Sequence, residues 1–330
     1  MPAHWIRRSL LAVLLCAIAL SVSAQPKEPG FKNLKVLPKD ISEQDLKATM
    51  FAFTRALGVR CTYCHVGEDH VKPEDFEKDD KPQKRVAREM MRMVHDINED
   101  YLEHLEARAK PEVGVKCVTC HRGVAQPRML QDVLATSYES GGIDSTVSRY
   151  NALRKRYYGS FAYDFSEAPL NDVSNTLRRQ GHADDALRLL DLNVEMNPNS
   201  NYAKRNLATA TITRGFATSA EAGTAAYTDA KGKYGDRVVN ADMLGEVGYQ
   251  LMGAQNNAGA IAALKLNVAE NPKSTDALEG LGEAYVANGD WKLATETYKK
   301  VLALDPANEN AKKALDDIKV KSKQKPAKKK

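Results

Sequence analysis

Two runs of the chain share one spacing of reactive side chains: Cys61-Thr62-Tyr63-Cys64-His65 and Cys117-Val118-Thr119-Cys120-His121. A C-x-x-C-H run is the attachment signature of c-type haem. Its two thiols can add across the two vinyl groups of one porphyrin edge. The next residue then brings an imidazole to the iron as proximal ligand. Three other chemistries use thiol pairs: a dithiol redox couple, a disulfide in an exported protein and a zinc site built from four cysteines. All three leave the two histidines unexplained, and the stretch from Cys64 to Cys117 is far longer than a compact zinc module uses. The spacing therefore points to two covalently bound haem c groups. Cys61, Cys64, Cys117 and Cys120 would form the thioethers, and His65 and His121 would be the proximal ligands.

These motifs need elements to hold them. Gly58-Val59-Arg60 precedes the first and Gly114-Val115-Lys116 the second. A glycine there permits a left-handed turn or a close approach to a haem edge. A helix is predicted from about Glu43 to Leu57, capped by Ser42 with Asp45 after Pro38. Leu46, Met50, Phe53 and Leu57 form its apolar face. A second is predicted from about Gln83 to Arg108, with Val86, Met90, Met93, Val94, Ile97, Tyr101 and Leu105 on one face and Lys110-Pro111 ending it. The repeating unit is thus helix, turn, haem motif, twice. Candidates for the sixth iron position are Met50, Met90, Met93, His70, His95 and His104. A methionine stripe is also ordinary core packing, and a lone helical histidine is commonly a surface residue. On a straight helix His104 would lie on the same side as Met90, about 21 Å away.

The chain has 330 residues, 43% hydrophobic and 28% charged, which excludes wholesale disorder and a polytopic membrane protein. The seven lysines of 319–330 exceed the net charge of +5, so the body is close to neutral and is no electrostatic nucleic-acid binder. Residues 1–24 read as a cleaved export signal: Arg7 and Arg8, an apolar run from Leu10 to Leu20, then Val22-Ser23-Ala24. That places the mature chain in the periplasm. Residues 129–166 read as a helical connector, with Gly141-Gly142 between the helical stretches 130–138 and 145–158. From 167 to 318 a 34-residue period emerges: Gly248-Tyr249, Ala260 and Pro272 recur as Gly282-Glu283, Ala294 and Pro306. Tyr285 and Tyr298 fill aromatic positions, an earlier copy holds Leu177, Ala186 and Pro198, and a degenerate copy lies around 201–238. This pattern resembles tetratricopeptide repeats, which stack into a short solenoid with a concave docking face. Residues 319–330 read as a lysine-rich disordered tail, able to make weak contact with an anionic membrane surface.

Residues 30–128 also resemble a known family. Lys32-Asn33-Leu34-Lys35-Val36-Leu37-Pro38, Thr49-Met50, Gly58-Val59-Arg60-Cys61, Ala87-Arg88-Glu89-Met90-Met91-Arg92-Met93 and His121-Arg122-Gly123 are similar to the cytochrome c subunit of photosynthetic reaction centres. That subunit carries four haems in two halves, and this chain resembles one half. The resemblance implies Met50 as distal ligand of the first haem and Met90 of the second. Met93 is the fallback for a loop that is longer here. His104 matches a histidine that reaches a haem of the other half, which implies ligation across a homodimer.

The expected fold is all-α: a small two-haem cytochrome domain over 25–128, the connector, then the α-solenoid. The expected function is electron transfer with redox partner proteins docked on the repeats. With both axial positions filled the iron binds no peroxide or oxygen, so an electron carrier is expected rather than an enzyme. A two-haem peroxidase or small-molecule reductase with one open haem site, and a haem-stabilised binding scaffold, are the alternatives.

Overall fold

A computed structural model describes residues 31–67, 71–108 and 110–323. The export signal, His70 and residues 324–330 of the tail lie outside them. No strand occurs among the described residues, so the chain is all-α. It divides into two compact units at Pro127 and Arg128.

Unit 1 begins with α1 (Glu43–Leu57), α2 (Pro82–Asp96) and α3 (Cys117–His121). The Ser42 hydroxyl oxygen caps α1 by accepting from the Asp45 backbone N–H at 3.1 Å. Gly58 ends it in the left-handed region, at φ 66°. The second helix is shorter than its periodicity predicts. It leaves α geometry after Asp96, passes through a π turn over Ile97–Leu102, and stops before His104. Asn98 is the physical cause. Its Nδ2 donates to the Val94 carbonyl at 2.8 Å and to the Val115 carbonyl at 2.9 Å, drawing a helix acceptor away from the regular ladder. His104 therefore lies exposed on a turn, and its straight-helix register with Met90 does not hold. The second copy of the unit is helix, π turn, long loop and motif, not a repetition of the first.

Unit 2 opens with α4 (Leu130–Tyr157), kinked where Gly141 and Gly142 leave helical geometry. Leu130, Leu134 and Tyr150 of α4 share one buried cluster with Leu170, Val173, Leu177 and Leu189. The connector is thus built into the repeat core. Four helix pairs and a closing helix follow: α5 (Glu167–Arg179), α6 (Ala183–Met196), α7 (Asn201–Thr218), α8 (Ala220–Tyr234), α9 (Ala241–Gly253), α10 (Asn257–Glu270), α11 (Thr275–Asn288), α12 (Trp291–Leu304) and α13 (Glu309–Lys323). The degenerate copy is a full pair, α7 and α8. The last helix runs through Lys323, so the first five residues of the expected tail are helical, with Ile318 buried beneath them.

One turn recurs because its chemistry recurs. Asn197-Pro198, Asn271-Pro272 and Asp305-Pro306 end three helices, since the residue before proline is pushed out of helical geometry. The cap then comes two residues after the proline. Ser200, Ser274 and Asn308 each accept from the backbone N–H three residues on, at 3.1, 3.1 and 2.9 Å. Small residues bring the pairs together. A Cβ on Gly259 of α10 would stand 2.5 Å from the Phe216 carbonyl oxygen of α7, a rigid neighbour. Gly259→Ala should lower stability by about 1–3 kcal/mol, read from the thermal midpoint of unit 2.

Candidate haem-binding sites

The first motif sits on a 3-10 turn, Cys61–Tyr63, and the second forms α3. All four cysteines are free; Cys61 and Cys120 are exposed, Cys64 and Cys117 half-buried. Burial pushes the Cys64 and Cys117 thiols up from their ordinary value. A reactive dithiol couple needs the opposite shift. Among the described residues no group of three or more His, Cys, Asp or Glu gathers to hold a metal ion.

Both histidines follow their motifs half-buried. The His121 Nδ1 lies 3.0 Å from the Val124 carbonyl oxygen. A carbonyl can only accept, so Nδ1 carries the proton and Nε2 keeps the lone pair, the arrangement of an oriented metal ligand. The turn that makes this bond runs through Arg122 and Gly123, both at positive φ. The His65 Nδ1 is buried with no hydrogen-bond partner. Burial first, then the nearby Lys84 charge, holds the His65 ring below its usual pKa and therefore neutral. Phe76 packs edge-on against it, ring centres 5.0 Å apart.

Three devices hold these segments in place. The Gly123 N–H donates to the Ala56 carbonyl at 2.8 Å, and a Cβ on Gly58 would stand 2.0 Å from the Gly123 oxygen. The end of α1 is thereby fastened to the turn behind the second motif. The glycine before the first motif thus serves a backbone approach as well as a left-handed turn. Asn98 is the second device. Besides its two donated bonds, its Oδ1 accepts from the Val115 N–H at 2.7 Å, and a Cβ on Gly114 would meet that oxygen at 3.0 Å. The two glycines that look equivalent in sequence have different duties. The third device is Asp79, which gathers Arg88 and Lys35 at 2.8 Å each, Asn33 at 2.9 Å and Lys84 at 3.1 Å. Arg88 also donates to the Asn33 carbonyl at 3.1 Å, so the 33–35 segment is pinned to α2. Next to this hub Lys81 donates to the Thr62 carbonyl inside the first motif. Sequence reasoning missed Asp79 and Asn98; an asparagine within a helical stretch was the available signal for the latter.

The candidate distal residues are placed as follows. Met50 is half-buried on α1, which packs against α3 of the second motif. Met90 and Met93 are 38% and 43% exposed on α2, and His95 and His104 are exposed. Unit 1 covers little of its own apolar surface. Only Ala56 and Val124 are buried hydrophobics among its described residues, while Phe51, Phe76, Val86 and Tyr101 stand exposed with the methionines. The flat apolar faces of a porphyrin suit such side chains. Thiols, neutral imidazoles and thioethers are the donor set of a c-type haem. The residues present fit the group.

The family model described as photosynthetic reaction centre cytochrome C subunit matches residues 16–199, reaching beyond unit 1 to α6. A tetratricopeptide repeat model matches residues 251–318. The chain is 31% identical over 155 residues to the photosynthetic reaction center cytochrome c subunit of Thermochromatium tepidum, covering 46% of this chain and 35% of the relative. It is 38% identical over 99 residues to the subunit of Roseobacter denitrificans, covering 29% and 25%. The chain thus spans about a third or less of those relatives' length. The structure of MamA, 41-end, from Desulfovibrio magneticus RS-1 is 19% identical, with TM-score 0.30, covering 48% of this chain and 86% of that one.

Two outcomes follow from the clamps. Asn98→Ala removes three bonds and should destabilise unit 1 by about 1–3 kcal/mol, seen as faster protease cutting between 97 and 116. The cations around Asp79, Arg88 first, hold its carboxyl far below the usual carboxylate range. Below about pH 4 the unfolded chain therefore binds the proton and the folded chain resists it. The stability Asp79 contributes is complete above that pH and is lost as pH falls. Thermal unfolding should show Asp79→Asn weaker than the parent at neutral pH, with the gap closing in acid.

Proposed function

The chain belongs to the photosynthetic reaction centre cytochrome c subunit family, and from that premise we propose that it is an exported, periplasmic electron-transfer protein carrying two covalently bound haem c groups. The observation that carries this reading is the pair of C-x-x-C-H motifs, each with free thiols and a neutral or lone-pair-oriented histidine. When bound, each haem supplies an iron that takes up and gives back one electron.

The chain's own residues do the rest. Each of Cys61, Cys64, Cys117 and Cys120 would hold a haem through a thioether, its S–H adding across a vinyl double bond with nothing lost. His65 and His121 would serve as the proximal ligands, His121 through Nε2. The Val124 carbonyl fixes the tautomer of His121, and burial keeps His65 uncharged. Met50 and Met90 would serve as the distal ligands, with Met93 and His104 in reserve, the latter across a homodimer. A thioether ligand favours ferrous iron relative to a second imidazole and raises the potential. Iron held by these residues on both sides would make a carrier rather than a peroxidase or reductase. The solenoid of unit 2 docks the redox partner, as stacked helix pairs present an extended face.

Intact mass of the purified protein should equal the chain cut after Ala24 plus two haems; a colourless product of bare polypeptide mass overturns the reading. Met50→Ala and Met90→Ala should each lower one midpoint potential and convert one iron to a high-spin spectrum. Which potential moves in Met50→Ala also tells which haem α1 serves. Docking by unit 2 is read from the rate at which the holoprotein exchanges electrons with its redox partner.

A further inference from the structure

In unit 2, α9 and α11 pack side by side. Asp276, Glu279 and Glu283 stand at i, i+3 and i+7 on α11, one face of a helix. Gly280 lies among them and makes room for Tyr249 of α9; a Cβ there would be 3.4 Å from the Tyr249 hydroxyl. Tyr298 of α12 lays its ring over Gly282, where a Cβ would stand 2.8 Å from Cζ.

The face is unusual in what it lacks. Among the described residues no Lys or Arg forms an ion pair with Asp276, Glu279 or Glu283. Glu279 accepts one bond, from Asn308 Nδ2 at 2.7 Å. By contrast, Arg205 pairs with Glu246 at 3.1 Å and Arg178 donates to Gln250 at 2.8 Å. The Tyr298 ring is buried, and its hydroxyl, which makes no hydrogen bond to a described residue, feels the charge of Glu283 and then of Glu279. Burial and then Glu283 push the Tyr249 hydroxyl up to about 12, and burial with the same carboxylates raises Tyr298. Both phenols stay protonated at neutral pH and keep oxygen lone pairs to offer.

Uncancelled carboxylates, phenol oxygens and an aromatic face select a group that has several donors, no acceptor and positive charge. Ammonium and guanidinium are such groups. Among the described residues no three acidic or metal-ligating side chains gather here closely enough for a metal ion. We propose that the Asp276–Glu279–Glu283 face, with Tyr249 and Tyr298, binds lysine or arginine side chains of a basic surface on a partner protein. This rests on the reading that unit 2 docks a partner, and it assigns that partner's charge.

The test uses the full-length, haem-loaded protein and fluorescein-labelled hexalysine and hexaglutamate peptides, with binding read by fluorescence anisotropy at low salt. Hexalysine should bind and hexaglutamate should not. Glu279→Gln with Glu283→Gln should weaken hexalysine binding about tenfold or more. Tyr298→Phe, which removes only the hydroxyl, should weaken it a few-fold. Asp191→Asn with Glu195→Gln removes the same charge from α6 and should leave binding intact. Equal binding of both peptides, no loss in the Glu279/Glu283 variant, or an equal loss in the α6 variant overturns the assignment. The measurement involves no redox step. A negative result therefore removes the basic partner alone, while docking by unit 2 stands or falls on its own electron-exchange rate.

Discussion

The backbone approach between Gly58 and Gly123 constrains unit 1 more than any side-chain packing does. A Cβ at Gly58 would come within 2.0 Å of the Gly123 oxygen, and the Gly123 N–H closes the contact on Ala56. Only a chain without a side chain there can bring the end of α1 against the turn behind the second motif. That turn carries Val124, whose carbonyl orients His121. The orientation of the His121 ring is therefore tied to residues next to the first motif. Two motifs 56 residues apart in the chain are one structural object.

The two units reach stability by different physics. Unit 2 buries three clusters of apolar side chains along its length, each shared between neighbouring helix pairs. Its turns repeat because a proline-terminated helix and a Ser or Asn cap repeat with it. Unit 1 buries two hydrophobic residues among those described and relies on polar clamps: Asp79 with four partners, Asn98 with two backbone segments, and the glycine contact. Such clamps position groups well but bury little apolar area, which is where most folding free energy arises. Apolar groups that side chains such as Phe51, Val86 and Met90 can cover would supply the missing term. Binding to the folded state stabilises it by mass action. A covalent attachment carries that coupling to its limit.

The charge pattern separates the units as well. Around the first motif Lys81, Lys84 and Arg88 gather, with Asp79 offsetting part of their charge. On α11 the carboxylates stand without cations among the described residues, next to the unbonded hydroxyl of Tyr298. Complementary charge speeds and orients the encounter of two proteins more than it adds affinity.

The candidate site is displayed in the sequence by spacing alone. Cysteines and histidine three and four positions apart, written twice, form a local pattern that no fold is needed to see. The solenoid was equally legible, because a 34-residue period is a statement about local packing that each copy repeats. Both are short-range facts, and short-range facts survive translation into one dimension. The second helix shows where that ends. Its apolar stripe predicts continuity through Arg108, yet it stops at Leu102, because Asn98 bonds a residue 17 positions away. The tail likewise looked disordered by composition, yet α13 continues to Lys323, because Ala311 and Ile318 pack into the last repeat. Gly58 and Gly114 look alike in sequence. Only the fold gives one a backbone to touch and the other a side chain to accommodate. Sequence alone determined which atoms can react. Tertiary structure decided which distant segments hold them, since a hydrogen bond or a steric limit between remote residues leaves no period for a sequence to display.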